Sequence, residues 1–164
     1  MKHSFKALLV LTIFFTSNSI AQNRSIQFNH ASLDEILSQA AKENKMVFID
    51  CYASWCGPCK WMAKNIFTND TVADFYNKNF ITAKIDMEKG EGVDIANKYG
   101  IQAFPTLLYL NASGEQMHRV CGAAESQEFI SIGENALNPA TQLAFYTKKF
   151  NAEKVSPRFA REYF

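Results

Sequence analysis

The sequence predicts an α/β domain with a mixed central sheet and helices on both faces. Three observations predict this class: short apolar runs typical of buried strands, amphipathic segments with helix-start and helix-stop residues, and a last pair of strands joined by a tight turn. The predicted order is helix, strand, helix, strand, helix, strand, strand, helix. We expect the first strands to be parallel and the last pair to form a hairpin, within one domain of ordinary size.

The first helix and the first strand have clear signals. Ser32 and Glu35 have the spacing of a capping box, and the apolar residues that follow recur at helical intervals, which predicts a helix to about Asn44. Met46–Asp50 is a short apolar run that ends in an acid, as is typical of a buried central strand. Asp50 is therefore expected at the end of that strand.

The next segment contains two cysteines that are separated by Gly57 and Pro58 and preceded by Trp55. If Cys56 stands at the start of a helix, the free N–H groups and the positive end of the helix dipole favour its thiolate. Cys59 then lies one turn further on, close enough to form a disulfide, and Pro58 suits the first turn of the helix. The motif predicts a thiol–disulfide reaction centre; the alternatives are a structural disulfide and half of a zinc site.

The remaining elements each combine the apolar spacing of their type with polar or glycine residues at their ends. They are a short helix capped at Asn69, a strand at Phe80–Asp86, a loop at Met87–Gly92, a helix at Val93–Tyr99, a strand at Thr106–Leu110, a turn at Asn111–Gly114, a strand at Glu115–Cys121 and a helix at Ser126–Leu137.

The chain begins with a segment that we expect to be removed. Residues 1–6 contain two lysines, Ala7–Phe15 is almost wholly apolar, and Ser19 and Ala21 have the small-residue pattern of a signal-peptidase cut. The apolar run is short for a membrane span, although a retained anchor is the alternative. We predict a signal peptide over residues 1–21 and a periplasmic or secreted location.

Charge and cysteine content limit the classes of partner and of cysteine chemistry that the sequence predicts. Without the leader, 15 basic residues face 16 acidic ones, which does not indicate nucleic acid or an anionic membrane as a partner. Only four cysteines occur, and two of them lie in the motif, so chemistry is favoured over structural disulfides. A zinc site needs further ligand pairs that the sequence lacks, so neither a metal nor another cofactor is predicted.

Three features resemble the thioredoxin superfamily in their order and spacing. They are Asp50 six residues before Cys56, the Trp-Cys-Gly-Pro-Cys-Lys centre, and Phe104–Thr106 before a strand. The resemblance extends from Ser32 to Leu137 and implies the thioredoxin fold. The segment Asn65–Val72 more narrowly resembles secreted thioredoxin-like domains, such as the C-terminal domain of DsbD-type transporters.

The resemblance implies a role for each matched residue. Cys56 would be the exposed nucleophile, and the more buried Cys59 would resolve the mixed disulfide by attacking Cys56. Asp50 resembles the family's buried acid, which accepts the Cys59 proton through a water molecule and has a raised pKa because burial disfavours its charge. A strand-ending acid that faces solvent is the alternative. Pro105 resembles the family's cis-proline, which faces the dithiol, and an ordinary trans proline is the alternative.

The residues around the dithiol are expected to form a rim that binds substrate. Trp55 could instead be a simple core residue, because large aromatic side chains commonly pack inside a domain. Lys60 is equally compatible with support of the thiolate and with full solvation. The predicted substrate-binding residues are Trp55, Gly57, Pro58, Phe104, Pro105 and Thr106.

Three other residues depart from the family pattern. The position of Lys84, two residues before Asp86, does not align with the lysine that thioredoxins place near the buried acid, so its pairing with Asp50 is left open. Cys51 alternates with Asp50 along the strand, so it is expected on the opposite face, in the core. Cys121 is also expected to pack, with a secondary redox thiol or a Cys51–Cys121 disulfide as alternatives.

The domain is predicted to cover residues 22–139, followed by a helical C-terminal extension over residues 140–164. Apolar residues between Leu143 and Phe150 fall on one helical stripe, and Ser156–Pro157 resembles the start of another helix. Two interpretations stay open: the aromatic side chains of the tail dock on the domain, or the chain continues into a longer helical region.

We predict a thiol–disulfide oxidoreductase that reduces disulfide-containing protein substrates. The Gly-Pro pair between the cysteines, with flanking Trp and Lys, resembles thioredoxins rather than oxidases. A reductant outside the cytoplasm needs an electron source, so a membrane thiol donor is expected as a partner. The alternatives are an oxidase or isomerase, a reductant for apocytochrome c thiols, and a non-catalytic protein-binding module.

Overall fold

The computed structural model describes residues 24–153, with side chains described as far as residue 150. The leader predicted over residues 1–21 and the helix predicted to start at Ser156 lie outside the described residues. None of the helices within the described part is long and apolar enough to cross a membrane. In chain order the elements are α1 (Leu33–Glu43), β1 (Met46–Tyr52), α2 (Gly57–Asn65), α3 (Asp70–Asn79), β2 (Phe80–Asp86), α4 (Glu91–Tyr99), β3 (Thr106–Leu110), β4 (Gln116–Cys121), α5 (Ser126–Leu137) and α6 (Leu143–Glu153).

The strands of the described region form one mixed sheet in the order β2-β1-β3-β4. β1 and β2 are parallel, whereas β3 is antiparallel to both β1 and β4. An isolated parallel bridge between Asn29 and Ala83 lies outside the named strands. The predicted fold class is therefore confirmed, including the parallel first strands and the final hairpin.

Each face of the sheet has its own apolar core. On one face, α3 and α5 enclose an aromatic cluster in which the Tyr76 and Phe129 rings stack 4.1 Å apart. The Tyr76 hydroxyl donates to the Phe129 carbonyl oxygen at 2.7 Å and lies 2.8 Å from the Tyr109 hydroxyl, so these buried polar groups are paired. On the other face, α1 and α4 cover a second core that includes Cys51. Because side chains alternate along a strand, Asp50 faces the opposite side from Cys51.

The helix ends follow the sequence signals closely. Ser32 and Glu35 form both hydrogen bonds of the predicted capping box, and Asn69 caps α3 with its side chain. Gly100 ends α4 with a φ of 62°, a left-handed conformation that glycine adopts without a Cβ penalty. Some boundary predictions are wrong: β1 continues two residues past Asp50, to Tyr52, because its pairing with β2 continues to Asp86. In addition, α4 begins at Glu91 rather than Val93, and β4 begins at Gln116 rather than Glu115.

The described part of the C-terminal extension contacts the domain. α6 packs against β4, and the backbone N–H of Leu143 donates to Nδ1 of His118 at 3.2 Å. The Gln142 side chain adds a bond of 2.8 Å to the Ala136 carbonyl oxygen. Burial lowers the pKa of His118, which keeps its imidazole in the neutral form that can accept this hydrogen bond.

Candidate active site

The two motif cysteines form a disulfide at the start of α2. Cys56 is the N-cap residue of the helix, and its Sγ accepts a hydrogen bond of 3.1 Å from the backbone N–H of Cys59. The two Cα atoms are 5.3 Å apart, within the usual range for a disulfide. Pro58 occupies the first turn, where its missing N–H is not needed. The sequence prediction for the position of this pair is confirmed.

The predicted difference in burial between the cysteines is wrong for the disulfide form. Cys56 and Cys59 are each only 2% exposed. They form a small cluster with Ala53, against which Tyr52 and Phe104 pack. A sulfur bonded to its neighbour and covered by these side chains presents little surface of its own.

Trp55 lies on the rim of the site. It is 66% exposed, so the alternative of a core residue is wrong. Its indole N–H donates to Oε2 of Glu88 at 2.8 Å, and its ring meets the Phe104 ring edge-on with centroids 6.0 Å apart. The hydrogen bond and the ring contact hold an exposed aromatic surface next to the disulfide. Gly57 and Pro58 are also exposed.

The chain at the start of β3 combines one rim residue with two buried ones. Phe104 is partly exposed, whereas Pro105 and Thr106 are buried. The Phe104–Pro105 peptide bond is cis, and the Pro105 carbonyl oxygen accepts from the Gly122 N–H at 2.8 Å. The Thr106 hydroxyl donates to a backbone carbonyl and lies 3.4 Å from Sγ of Cys121.

Asp50 is a fully buried acid that is paired with Lys84. The parallel register of β1 and β2 places these residues opposite each other, and Nζ of Lys84 lies 2.6 Å from Oδ2 of Asp50. The open question about Lys84 is thus answered by strand register. Oδ1 of Asp50 is buried and has no hydrogen-bond partner in the described structure. Burial raises the pKa of Asp50 and the Lys84 charge offsets part of that effect. The alternative of a solvent-facing acid is wrong, because Asp50 is 0% exposed.

The two other cysteines are free and lie in different surroundings. Cys51 is buried in the core, as predicted, and burial raises the pKa of its thiol well above the usual value. Cys121 is exposed, so the expectation that it packs is wrong: it stands at the last position of the edge strand β4. The Cys51–Cys121 disulfide left open by the sequence is absent. No cluster of metal-ligating side chains occurs among residues 24–153.

Three residues contribute to the site that were not predicted from the sequence. Glu88 anchors Trp55, while the rings of Tyr52 and Phe67 lie beside the Lys84 ammonium group. A signal was present for Tyr52, because it is two residues beyond Asp50 on the same strand and therefore on the same face. Glu88 and Phe67 lie in connecting segments, where spacing alone does not predict contacts.

A redox-capable dithiol at a helix start, on a mixed sheet that also contains a buried acid, defines a thiol–disulfide oxidoreductase. The thioredoxin family model matches residues 24–134, and the chain belongs to the thioredoxin family. It has the thioredoxin fold. It is 36% identical to the chloroplastic thioredoxin Y of Oryza sativa subsp. japonica over 110 residues, which is 67% of this chain and 60% of that protein. The alignment therefore spans less than two thirds of that relative.

Two solved structures are similar to this chain over most of its length. A candidate disulphide-isomerase from Bacteroides thetaiotaomicron is 43% identical, with a TM-score of 0.65 over 72% of this chain and 98% of that one. The reduced C-terminal domain of DsbD from Neisseria meningitidis is 25% identical, with a TM-score of 0.55 over 66% of this chain and 96% of that one. This chain thus covers nearly the whole of each of these structures.

Proposed function

We propose that this oxidoreductase reduces disulfide bonds of protein substrates outside the cytoplasm. The observation that carries the exchange chemistry is the position of Cys56 at the N-terminus of α2, where its Sγ accepts a backbone hydrogen bond, and the reductive direction is proposed from the thioredoxin-like Gly57–Pro58 pair. In the reduced protein, this donor and the helix dipole favour the Cys56 thiolate, which is the attacking species.

The reaction proceeds by two exchanges that move two electrons to the substrate. The Cys56 thiolate attacks one sulfur of a substrate disulfide, forms a mixed disulfide and releases the other sulfur as a thiolate. Cys59 then loses its proton to Asp50 and attacks Sγ of Cys56, which releases the second substrate sulfur. The protein is left with the Cys56–Cys59 disulfide seen in the structure.

The rim around the dithiol binds the substrate chain in this proposal. Trp55, Gly57 and Pro58 supply exposed surface on one side, and Phe104 supplies a partly exposed ring on the other. Pro105 presents the neighbouring backbone to an extended peptide, as in strand addition. The Thr106 side chain is buried, so its contribution is limited to backbone groups and to the position of Pro105.

The location and the partner follow from the leader and from the structural likeness. Residues 1–21 direct the chain out of the cytoplasm and are removed there. The oxidised protein then needs a thiol donor, and the likeness to the DsbD C-terminal domain supports a membrane thiol transporter in that role. In this proposal, residues 22–139 form the catalytic domain and residues 140–164 form a C-terminal extension. Fractionation of cells that express the full chain, with mass measurement of the product, tests the cut after Ala21.

Reduction of insulin with dithiothreitol as electron donor, catalysed by the wild-type protein, Cys56→Ser or Cys121→Ser, tests the activity. We expect turnover by the wild type and Cys121→Ser, and loss in Cys56→Ser, because only Cys56 stands at the helix start. Equal, background turnover by all three proteins would favour the non-catalytic binding module. Equilibration with glutathione redox buffers tests the direction: a potential near those of disulfide-forming enzymes would contradict a reductant.

A second candidate function is disulfide isomerisation, favoured by the 43% identity to the Bacteroides candidate disulphide-isomerase. Reactivation of scrambled ribonuclease distinguishes the two, because isomerisation restores native pairs without net reduction. Recovery of ribonuclease activity by a catalytic amount of the pre-reduced protein, without further reductant, would favour the isomerase.

A further inference from the structure

Lys84 lies between an acid and two aromatic rings. Its Nζ is 2.6 Å from Oδ2 of Asp50, 4.4 Å from the centre of the Tyr52 ring and 5.4 Å from the centre of the Phe67 ring. The Lys84 side chain is 23% exposed, whereas that of Asp50 is 1% exposed. The ammonium group therefore has a route to water that the carboxylate lacks.

The Lys84 ammonium group stays next to Asp50 only if neighbouring groups stabilise it there. Its flexible stem allows the charged end to turn towards solvent, where an ammonium ion is strongly hydrated. An ammonium over a ring face within about 6 Å is attracted to the ring, and more strongly when water is partly excluded. The Tyr52 ring meets that geometry, and the same side chain packs against the cluster of Ala53, Cys56 and Cys59.

We propose that Tyr52 is a positioning residue whose ring holds the Lys84 ammonium against Oδ2 of Asp50. The second carboxylate oxygen, Oδ1, is buried and has no hydrogen-bond partner in the described structure, so it is the oxygen left to receive a proton from Cys59. The ring acts on the acid only through Lys84. This inference rests on the proposed function for its consequence in turnover, but its geometry can be tested without turnover.

The pocket beside Cys59 shows which other groups face the pair. It has a volume of about 240 Å³ and a nearly apolar wall, and it is lined by both Tyr52 and Lys84. Other titratable and charged groups near the pair include Cys59 and Lys60 of α2, Cys51 of β1, Asp86 of β2, which lies opposite Tyr52 in the strand register, and Lys89, which pairs with Asp86 and lies near Tyr52. Lys60 lines the pocket without a hydrogen bond to Asp50, so it serves as a matched control for loss of a nearby charge.

The direct test is the titration of the Asp50 carboxyl carbon, followed by NMR in the oxidised protein. In Tyr52→Leu we expect the midpoint to move to higher pH by about half a pH unit to one pH unit, since the loosened Lys84 stabilises the carboxylate less. Tyr52→Phe keeps the ring and restores the wild-type midpoint. Lys84→Met moves the midpoint in the same direction and further, and Lys60→Met moves it much less.

A double variant separates positioning from a general structural effect. If Tyr52 acts through Lys84, Tyr52→Leu adds no further change of the midpoint in a Lys84→Met background. An equal change in both backgrounds would overturn the proposal, and so would an unchanged midpoint in folded Tyr52→Leu. If Tyr52→Leu does not fold, Tyr52→Met provides a second ring-free variant for the same titration.

The pH profile of insulin reduction gives the functional readout. The acidic limb of turnover should move to higher pH in Tyr52→Leu, in step with the NMR midpoint, because Cys59 needs a charged Asp50. If the NMR midpoint moves but the acidic limb of the pH profile of turnover does not, the link between Tyr52 and turnover is overturned. Absence of any wild-type turnover would instead refute the proposed function, while the NMR titration would still decide the role of Tyr52.

Discussion

Replacement of Asp50 with asparagine should stabilise the protein at neutral pH while impairing turnover. Asp50 is fully buried, and its pKa is raised mainly by burial in spite of the nearby Lys84 charge. Asparagine has nearly the same shape and carries no charge. Lys84, which is partly exposed, can turn its ammonium group to solvent once the carboxylate is gone. The variant therefore removes a buried charge without burying an unpaired one.

The direction in which the stability of the wild type changes with pH follows from proton linkage. A carboxyl with a raised pKa in the folded state binds its proton more tightly there than in the unfolded chain. The wild type therefore loses stability as pH rises from the ordinary Asp value through the folded pKa of Asp50, and Asp50→Asn does not. Replacing buried ion pairs with neutral groups has stabilised other proteins by about 1–4 kcal/mol. For a domain of this size, each kcal/mol corresponds to about 3 °C in Tm.

Urea unfolding of the oxidised proteins between pH 4 and 8 measures the difference. We expect a gain of about 1–3 kcal/mol at pH 7 that shrinks as pH falls towards the ordinary Asp pKa, because the folded wild-type carboxyl takes up its proton before the unfolded one does. Asp74→Asn, at an exposed acid paired with Arg24, should change the unfolding free energy by less than about 1 kcal/mol at every pH. A stability difference for Asp50→Asn that is the same at every pH would refute this account.

Three further predictions concern other parts of the molecule. In the oxidised native protein, iodoacetamide should label Cys121 once per chain and label Cys51 only after unfolding, because one thiol is exposed and the other is buried; peptide mass mapping checks this. Protonation of His118 should weaken its bond to the first residue of α6, so limited proteolysis should release α6 faster as pH falls below the usual histidine range, and His118→Gln should lose most of that pH dependence. Gly92→Ala should cost about 2 kcal/mol or more, since its Cβ would overlap a backbone carbonyl, whereas Gly57→Ala should change stability by less than about 1 kcal/mol because nothing lies near its Cβ position.

Local signals were sufficient to predict the elements and the dithiol. Helix starts at Ser32 and Asn69 depend on side chains that bond their own helix, so they can be found from a few neighbouring residues. The same holds for Cys56, whose position is set by the proline and cysteine of its own first turn. These interactions span about one helical turn, which is the range that sequence spacing describes well.

Contacts between strands and loops could not be predicted in the same way. Asp50 and Lys84 are 34 residues apart, and their pairing depends on a register that no local pattern specifies. The sequence placed Asp50 at a strand end because the apolar run stops there, but pairing with β2 continues to Tyr52. Trp55 was ambiguous for a similar reason, since its partner Glu88 follows β2 and holds an exposed ring that could equally have been buried.

The backbone contacts at the end of the β1–β2 pair set the positions of Asp50 and of the Tyr52 ring. The N–H of Met87 donates to the Tyr52 carbonyl oxygen at 2.9 Å, one residue beyond the last paired position. Gly92 packs so closely on the carbonyl of Asp86 that no side chain fits between them. A slip of one residue would turn Asp50 and Tyr52 to the other face of the sheet and bring Cys51 opposite Lys84. The hydrogen bond from Met87 to Tyr52 therefore supports the chemistry as well as the stability, because it joins the two strands in the register on which the Asp50–Lys84 pair depends.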